Sequence, residues 1–345
     1  MERARRAGQA GRKGRMAEAS SVEIRRELAP DALRRQMAED VRDGLGSRPR
    51  TLPPKYFYDA RGSRLFEAIT RLPEYYQTRT ERSILERIAG DVARRSGARA
   101  VVEYGSGSAG KTEILLEALH RAGRLEGYGP VDVSPEPLRD AAERLVERWP
   151  GLRVEGVVGD FETALELPFP ELPRLVLFLG GTVGNLREPE AVDFLDRTAG
   201  RMADEDAFLI GFDLVKDRET LVAAYDDASG VTAEFNRNVL RVLNRELNAD
   251  FEPEGFRHRA EWNEEQARIE MHLVAEQAQE VRLRALGMEV RFEAGETLRT
   301  ELSHKYTRET ATRLLERGGF RAERWETDPE DRFAVALARV EARQA

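Results

Sequence analysis

The chain contains no cysteine among its 345 residues. That absence excludes a disulfide framework and any thiolate metal site. Histidine is nearly as scarce, with four residues and none at ligand spacing from another, so a histidine-built metal centre has no support either. No apolar run approaches the roughly 20 residues needed to span a bilayer. Positive charge does not prevail: 55 Lys and Arg stand against 63 Asp and Glu, a net charge of -8. An acidic balance argues against a general nucleic-acid binder, because neutralising phosphates requires a basic surface. Nothing points outside the cytoplasm. The expectation is a cytoplasmic protein with no nucleic-acid, membrane or obligate protein partner and no metal.

What is present is a 41% hydrophobic composition over a length that suits one large domain or two intimate ones. Residues 1–26, above all Met1 to about Ser20, are rich in Arg, Gly and Ala with few large apolar side chains, and read as a disordered tail. A transit peptide is the lesser reading of this stretch, and Met16 could serve as a start. The run Ala100 to Tyr104 meets Gly105-Ser106-Gly107-Ser108-Ala109-Gly110, and Ile114, Leu115, Leu116 and Leu119 then mark a helix face. Strand-like runs recur at Tyr128–Val133, Val154–Gly159, Leu175–Leu179 and Phe208–Phe212, with helical stretches Pro137–Trp149 and Pro189–Met202 between them. Alternation of this kind implies a parallel sheet with helices on both faces. After Asp213 the texture changes to helices over Glu219–Leu247. A strand follows around Met271, and Val281–Leu286 and Glu289–Glu293 look like partners in an antiparallel sheet. The first pattern resumes with a helix from Thr307 to Arg317 that stops at Gly318-Gly319, then strands at Arg321–Glu326 and Phe333–Val340. Residues 79–215 and 305–345 are thus expected to form a Rossmann-like α/β domain. Residues 27–78 and 216–304 are expected to form an inserted α+β domain.

The string Gly105 to Thr112 fits G-x-x-x-x-G-K-T, a phosphate-binding loop, and Asp213 after an apolar strand could pass as a magnesium-site acid of an ATPase. Glu103, just before the loop, would repel a triphosphate. The same string also fits an acid followed by Gly-x-Gly, the first motif of nucleotide-fold methyltransferases. There a carboxylate can face the cationic methionine end of S-adenosylmethionine. Asp132 closes the second strand and can accept from both ribose hydroxyls, as the acid of dinucleotide folds does. Asp160 with Phe161 closes the third and can bond an adenine amino group and cover its ring. Each acid alone could be a helix cap. Together, at successive strand ends, they describe one cofactor trench.

Further motifs carry a resemblance. Leu52-Pro53-Pro54-Lys55-Tyr56-Phe57-Tyr58-Asp59, Leu72-Pro73-Glu74-Tyr75-Tyr76-Gln77-Thr78-Arg79-Thr80-Glu81, Gly180-Gly181-Thr182-Val183-Gly184-Asn185 and Thr300-Glu301-Leu302-Ser303-His304-Lys305-Tyr306 resemble the signatures of the histidine-specific methyltransferase family. These are the ergothioneine-pathway L-histidine Nα-methyltransferases, and the resemblance covers nearly the whole chain after about Glu27. It implies a class I methyltransferase fold and stepwise methylation of L-histidine by S-adenosylmethionine to the betaine hercynine. Tyr58, Tyr75, Asn185 and Tyr225 match positions around the substrate's amino and carboxylate groups, with Tyr58 and Asn185 as catalytic candidates. Glu301 and Ser303 match the pair that holds the imidazole, and Met271 packs near that ring. Gly105, Lys111, Asp132, Asp160 and Phe161 match cofactor contacts.

Chemistry agrees with these assignments. A carboxylate and a hydroxyl two residues apart share one face of an extended strand and can bond both imidazole nitrogens. A growing quaternary ammonium calls for a pocket without lysine, walled by rings such as Phe66. The ordinary alternatives are a turn asparagine at Asn185, packed aromatics at Tyr75 and Tyr225, core at Met271, and a helix cap at Glu301 and Ser303. A tryptophan derivative is the nearest rival substrate.

Overall fold

The computed structural model describes residues 21–341 apart from 28–29, 107–108, 134 and 162–165. Strand β1 (Ser21–Arg26), helix α1 (Pro30–Gly46), the short strand β2 (Arg50–Thr51), α2 (Ala60–Ile69) and α3 (Gln77–Ser96) come first. The alternating region then runs β3 (Ala100–Tyr104), α4 (Thr112–Arg121), β4 (Gly127–Asp132), α5 (Pro135–Arg148), β5 (Arg153–Val158), β6 (Arg174–Phe178), α6 (Glu188–Ala199) and β7 (Ala207–Asp213). An inserted region follows with α7 (Arg218–Ala223), α8 (Val231–Glu246), β8 (Phe256–Asn263), β9 (Arg268–Ala275), β10 (Gln279–Leu283), β11 (Met288–Phe292) and β12 (Thr297–His304). After it come α9 (Arg308–Arg317), β13 (Phe320–Thr327) and β14 (Phe333–Val340).

Every residue of β3, β6 and β7 is buried, as strands covered on both faces require. They belong to an eight-stranded sheet of order β1-β5-β4-β3-β6-β7-β14-β13, parallel up to β7 and antiparallel beyond it. The five strands from β5 to β7 follow the 3-2-1-4-5 order of the dinucleotide-binding sheet, so the order reverses between β3 and β6. On one face α3 lays down Ile84, Leu85, Ile88, Ala89, Val92 and Ala93, at helical spacing, beside α4 and α5. Gly97, at φ 66°, ends α3 in the left-handed conformation. On the other face α6 and α9 contribute Phe194, Leu195, Leu314 and Leu315.

The inserted region builds a second core. Its sheet has the order β2-β12-β9-β8, and α8 packs on α2 above it. This core joins Val41, Leu45, Leu52, Phe57 and Tyr76 with Phe235, Leu240, Phe256, Met271 and Leu298. Strands β10 and β11 pair antiparallel with each other, as expected, in a separate two-stranded ribbon. The exit and re-entry of the insertion are stitched together: Tyr306 N donates to the Asp213 carbonyl (2.9 Å), and Val215 N donates to the Tyr306 carbonyl (3.0 Å).

One sequence expectation needs correction. Residues 1–20 lie outside the described residues, but Ser21–Arg26 are not a disordered tail. They pair in parallel with the whole of β5, from Ser21 opposite Arg153 to Arg26 opposite Val158. Backbone hydrogen bonds to an open sheet edge need no apolar side chains, and five of the six residues are exposed. Composition therefore carried no sign of this strand.

At the N-terminal ends of β6 and β7, away from the strand ends where ligands bind, a buried ion pair ties the sheet together. Asp206 accepts from the backbone N of Arg174 (2.7 Å) and from its Nε (2.9 Å) and Nη2 (2.6 Å), with both side chains enclosed. Removing the carboxylate strands a buried guanidinium. Asp206→Ala is expected to cost about 3–5 kcal/mol of unfolding free energy, read by chemical denaturation, while ligand affinities of the folded fraction stay unchanged. A loss below about 1 kcal/mol, by the same scale, would refute this account of the pair.

Candidate active site

A cavity of about 1630 Å³ opens at the C-terminal ends of the parallel strands, beneath the second core. It lies where the strand order reverses, the place an open α/β sheet offers to ligands. Its size exceeds that of a typical single-ligand pocket, roughly 300–1,000 Å³, so two molecules fit end to end.

One end is formed by the loops after β3, β4 and β5. Gly105, at φ 69°, makes a turn that no branched side chain takes readily. Asp132 closes β4 and lines the cavity, as do Gly105, Lys111, Asp160 and Phe161. Asp160 is buried and receives Lys55 Nζ at 3.3 Å and Gln36 Nε2 at 3.4 Å from the segment before α2. The ring of Phe161 meets Tyr104, Phe178 and Phe194 at steep angles, which fixes its plane.

The phosphate-loop alternative fails on three side chains. Lys111 is paired with the buried carboxylate of Glu81, which also accepts from the Gly180 N–H (2.8 Å). Thr112 Oγ1 donates to Glu103 (2.5 Å), which accepts from Tyr128 OH as well (2.8 Å). Burial pushes Glu103 up to about 7 despite these bonds. Asp213 is engaged by Lys305 (2.8 Å), Lys216 (2.7 Å) and Tyr76 OH (2.7 Å). Burial opposes its charge, yet the two ammonium groups hold it below the usual carboxylate range. The lysine, threonine and acid that a nucleotide triphosphate and its magnesium would use are thus spent on internal partners.

The other end is walled by rings. Tyr58 meets Phe66 (5.6 Å) and Phe235 (5.5 Å), Phe66 meets Tyr75 (6.1 Å), and Tyr75 meets Tyr225 (6.5 Å), in edge-on or tilted pairs that all border the cavity. Burial, and then the charge of Glu301, drives the Tyr58 phenol well above its ordinary value. Burial does the same to Tyr75 and Tyr225. Facing the rings, Glu301 and Ser303 lie on β12, extended and on one face, with Met271 of β9 directly opposite Glu301 in register. The helix cap belongs to Thr307, which exchanges hydrogen bonds with Thr310, so Glu301 and Ser303 are free of that duty. Burial pushes Glu301 up to about 7, and Lys305 opposes the shift. Asn185 ends a short 3-10 turn on the cavity rim after the left-handed Gly180 and Gly181. His304 Nδ1 donates to the carbonyls of Gly184 (3.2 Å) and Leu186 (3.1 Å), clamping that turn to β12 from both sides. The cavity therefore brings together all twelve residues singled out from the sequence.

It also holds what sequence reasoning missed or excluded. The pocket for the growing ammonium was expected to lack lysine; Lys111, expected at the cofactor end, and Lys55 border the cavity, and Lys305 stands fully buried behind Ser303. Each of these three lysines is matched by a carboxylate (Asp40 and Asp160, Glu81, Asp213). Phe235 was not anticipated because a phenylalanine on an amphipathic helix reads as core. Lys305 lay two residues beyond Ser303, a spacing that could have drawn it into the site.

The comparisons with known proteins agree with this geometry. Residues 37–340 match the model of the family described as histidine-specific methyltransferase, SAM-dependent. A histidine N-alpha-methyltransferase of Mycolicibacterium smegmatis is 47% identical over 312 residues, covering 90% of this chain and 97% of that protein. Its counterpart from Mycobacterium tuberculosis is 44% identical over 321 residues, covering 92% and 99%. More distant is a 4-dimethylallyltryptophan N-methyltransferase of Claviceps purpurea, 27% identical over 317 residues, covering 85% and 91%. With a Rossmann-like sheet, an acid at each successive strand end and an inserted lobe closing one cavity, the chain belongs to the S-adenosylmethionine-dependent histidine-specific methyltransferase family.

Proposed function

We propose that the protein methylates the α-amino nitrogen of L-histidine in successive steps to give hercynine, a reaction of ergothioneine biosynthesis. The observation that carries this reading is the pairing of Glu301 and Ser303 on one strand, facing an aromatic box in the same cavity as Asp132 and Asp160. Residues 27–78 and 216–304 act as the substrate-binding domain in this reading. Among the described residues no helix is long and apolar enough to cross a membrane. We place the enzyme in the cytoplasm, acting on a small molecule without nucleic acid or an obligate protein partner.

S-adenosylmethionine supplies an electrophilic methyl group on a sulfonium. In-line displacement there needs an amine lone pair on the right trajectory and no Lewis acid, so the protein's work is orientation. Asp132 accepts from the ribose hydroxyls, Asp160 meets the adenine edge, Phe161 covers its ring, and Gly105 and Lys111 complete the cofactor end. Asn185 and Tyr75 aim the substrate's amine, with Tyr225 toward its carboxylate. Met271 packs on the imidazole. Tyr58, held as a neutral phenol, can pass a departing proton to water as a hydrogen-bonded link but cannot act as a phenolate base. The rings of Tyr58, Phe66, Tyr75 and Phe235 suit the accumulating ammonium charge.

Asp132→Ala is expected to weaken S-adenosylmethionine far more than histidine, by about 1.5–3 kcal/mol for each charged hydrogen bond lost. Calorimetry showing wild-type cofactor affinity in the folded variant would remove Asp132 from the site. Substrate choice gives a second test. An indole offers one donor and a larger ring, leaving part of the Glu301–Ser303 pair unmatched, and sites of this kind reject such ligands strongly. In Glu301→Ala the ratio of catalytic efficiencies for histidine over tryptophan should fall, with histidine losing about 1.5–3 kcal/mol. An unchanged ratio would mean that Glu301 does not read the ring.

The pH dependence follows from Glu301. Its carboxyl is raised to about 7, so the accepting carboxylate is present above that pH and lost below it. Histidine affinity, measured with S-adenosylhomocysteine present, should therefore rise with pH through about 7. Glu301→Gln should lack this step and keep only the titration of the ligand. A variant with the wild-type profile would assign the step elsewhere.

A further inference from the structure

Between Arg299 and Glu301 the pairing of β12 with β9 slips. Arg299 stands opposite His272 and Glu301 opposite Met271, so Thr300 is an extra residue, as in a β-bulge. Leu298 is paired with Leu273 and Glu301 with Met271, and Met271 and Leu273 share one face of β9. In a regular strand Glu301, three residues after Leu298, would point away from that face. The extra residue turns it back.

Thr300 is fully buried, and its Oγ1 donates to Asn236 Oδ1 of α8 (2.6 Å), with the Met271 carbonyl also in reach (3.2 Å). Asn236, equally buried, aims Nδ2 at the His272 carbonyl (3.2 Å) and at His258 Nδ1 on β8 (2.8 Å). His258 Nε2 lies 2.8 Å from the backbone carbonyl of Tyr225. The directions follow from what each atom can do. A carbonyl only accepts, so His258 Nε2 carries the ring proton, and the atom of Asn236 that faces the His272 carbonyl is its amide nitrogen. That nitrogen only donates, so His258 Nδ1 is bare. Asn236 Oδ1 and the Met271 carbonyl only accept, so Thr300 is the donor. The chain of bonds thus runs from the bulge before Glu301, through α8 next to Phe235, to the main chain of Tyr225.

We propose that Thr300, Asn236 and His258 are positioning residues that hold Glu301 and Tyr225 at one fixed separation. This rests on the functional reading above, in which Glu301 meets the imidazole and Tyr225 the carboxylate, and deepens it. None of the three lines the cavity, so each acts only through a residue that does. Tyr225 is held on both sides: its hydroxyl meets Ser303 and Lys305, and its carbonyl meets His258. Glu301 owes its direction to the bulge, and Thr300 fastens the bulge to α8. A ligand gripped at both ends has to match that separation, and misalignment costs rate as well as affinity. Cutting the chain at Thr300 leaves a buried acceptor on Asn236 unpaired and frees the bulge from the helix.

The test compares Thr300→Ser, which keeps the hydroxyl, with Thr300→Val, which keeps the shape and removes it. Both are made in the full chain, with rates scaled to the folded fraction titrated by S-adenosylhomocysteine. Thr300→Ser should keep the wild-type catalytic efficiency for L-histidine. Thr300→Val should lose about tenfold or more, toward the roughly 100-fold that a misplacement of about 1 Å costs. Affinity for S-adenosylhomocysteine should stay at the wild-type value in both. In a Glu301→Ala background, where the group being aimed is gone, Thr300→Val should cost much less than in the wild-type chain. A side chain that only stabilised the fold would cost the same in both. If Thr300→Val does not fold, His258→Asn decides by the same readouts in wild-type and Tyr225→Phe backgrounds, since it keeps an acceptor for Asn236 and loses the bond to Tyr225. Equal losses in the serine and valine variants, a valine variant with wild-type efficiency, or full additivity with Glu301→Ala would overturn the proposal and leave histidine methylation standing. A wild-type chain without histidine-dependent consumption of S-adenosylmethionine would overturn the functional reading, and this one with it.

Discussion

The ion pair between Asp213 and Lys305 is the constraint from which the architecture of the site follows. Asp213 is the last residue of β7, where the chain leaves the parallel sheet, and Lys305 stands just past β12, where it returns. Their 2.8 Å contact joins the two ends of the inserted region in a place closed to water. Neither charge would be tolerable there alone, since an unpaired buried ion costs about 3–5 kcal/mol. Lys216 and Tyr76 complete the shell of Asp213, so the N-terminus of α3 is tied to the same point. Two lobes with separate cores are thereby held in one register, and the strand carrying Glu301 and Ser303 lies over the strand ends that carry Gly105, Asp132 and Asp160.

Around this seam the site divides its labour. The sheet supplies short loops with acids at fixed strand ends, while the inserted lobe supplies rings and the two polar groups on β12. The turn bearing Asn185 belongs to the sheet but is clamped by His304 of the lobe. Because both partners are carbonyl oxygens, Nδ1 must carry the proton, and burial keeps the ring from charging. Asn185, proposed to aim the amine, and Glu301 and Ser303, proposed to read the ring, are consequently positioned by a single strand.

Much of this was legible in the sequence because parallel strands buried on both faces announce themselves as apolar runs, and their ends are marked by Gly105, Asp132 and Asp160. Glu301 and Ser303 were picked out by the family resemblance, and the two-residue period of a strand put them on one face. Other features left no such trace. β1 pairs with β5 through its backbone and leaves five of its six residues exposed, so its sequence resembled a tail. A lysine near a cationic product looks unfavourable until its partner is seen beside it, and Asp213, the partner of Lys305, lies on the far side of the whole insertion in sequence. Phe235 sits on a helix whose buried residues serve the core and the cavity at once, and periodicity does not separate the two. The roles of Glu81 and Thr112 depend on contacts across the fold, which no local motif encodes.

The engagement of Lys111 by Glu81 bears on selectivity inside a cell. Adenosine triphosphate carries the same adenosine that Asp132, Asp160 and Phe161 are proposed to read, and a cofactor trench must discriminate against so abundant a look-alike. Here the discrimination is built in as a resident anion. Glu81 already occupies the Gly180 amide and the lysine that a polyphosphate would seek, and it is anchored in the protein interior where it cannot be displaced by mass action. Glu103 adds a second carboxyl beside the loop. A polyphosphate would have to compete with Glu81 for Lys111 and the Gly180 amide, whereas a sulfonium makes no such demand. The motif thus keeps the spelling of a phosphate-binding loop while its lysine and threonine are engaged by carboxylates.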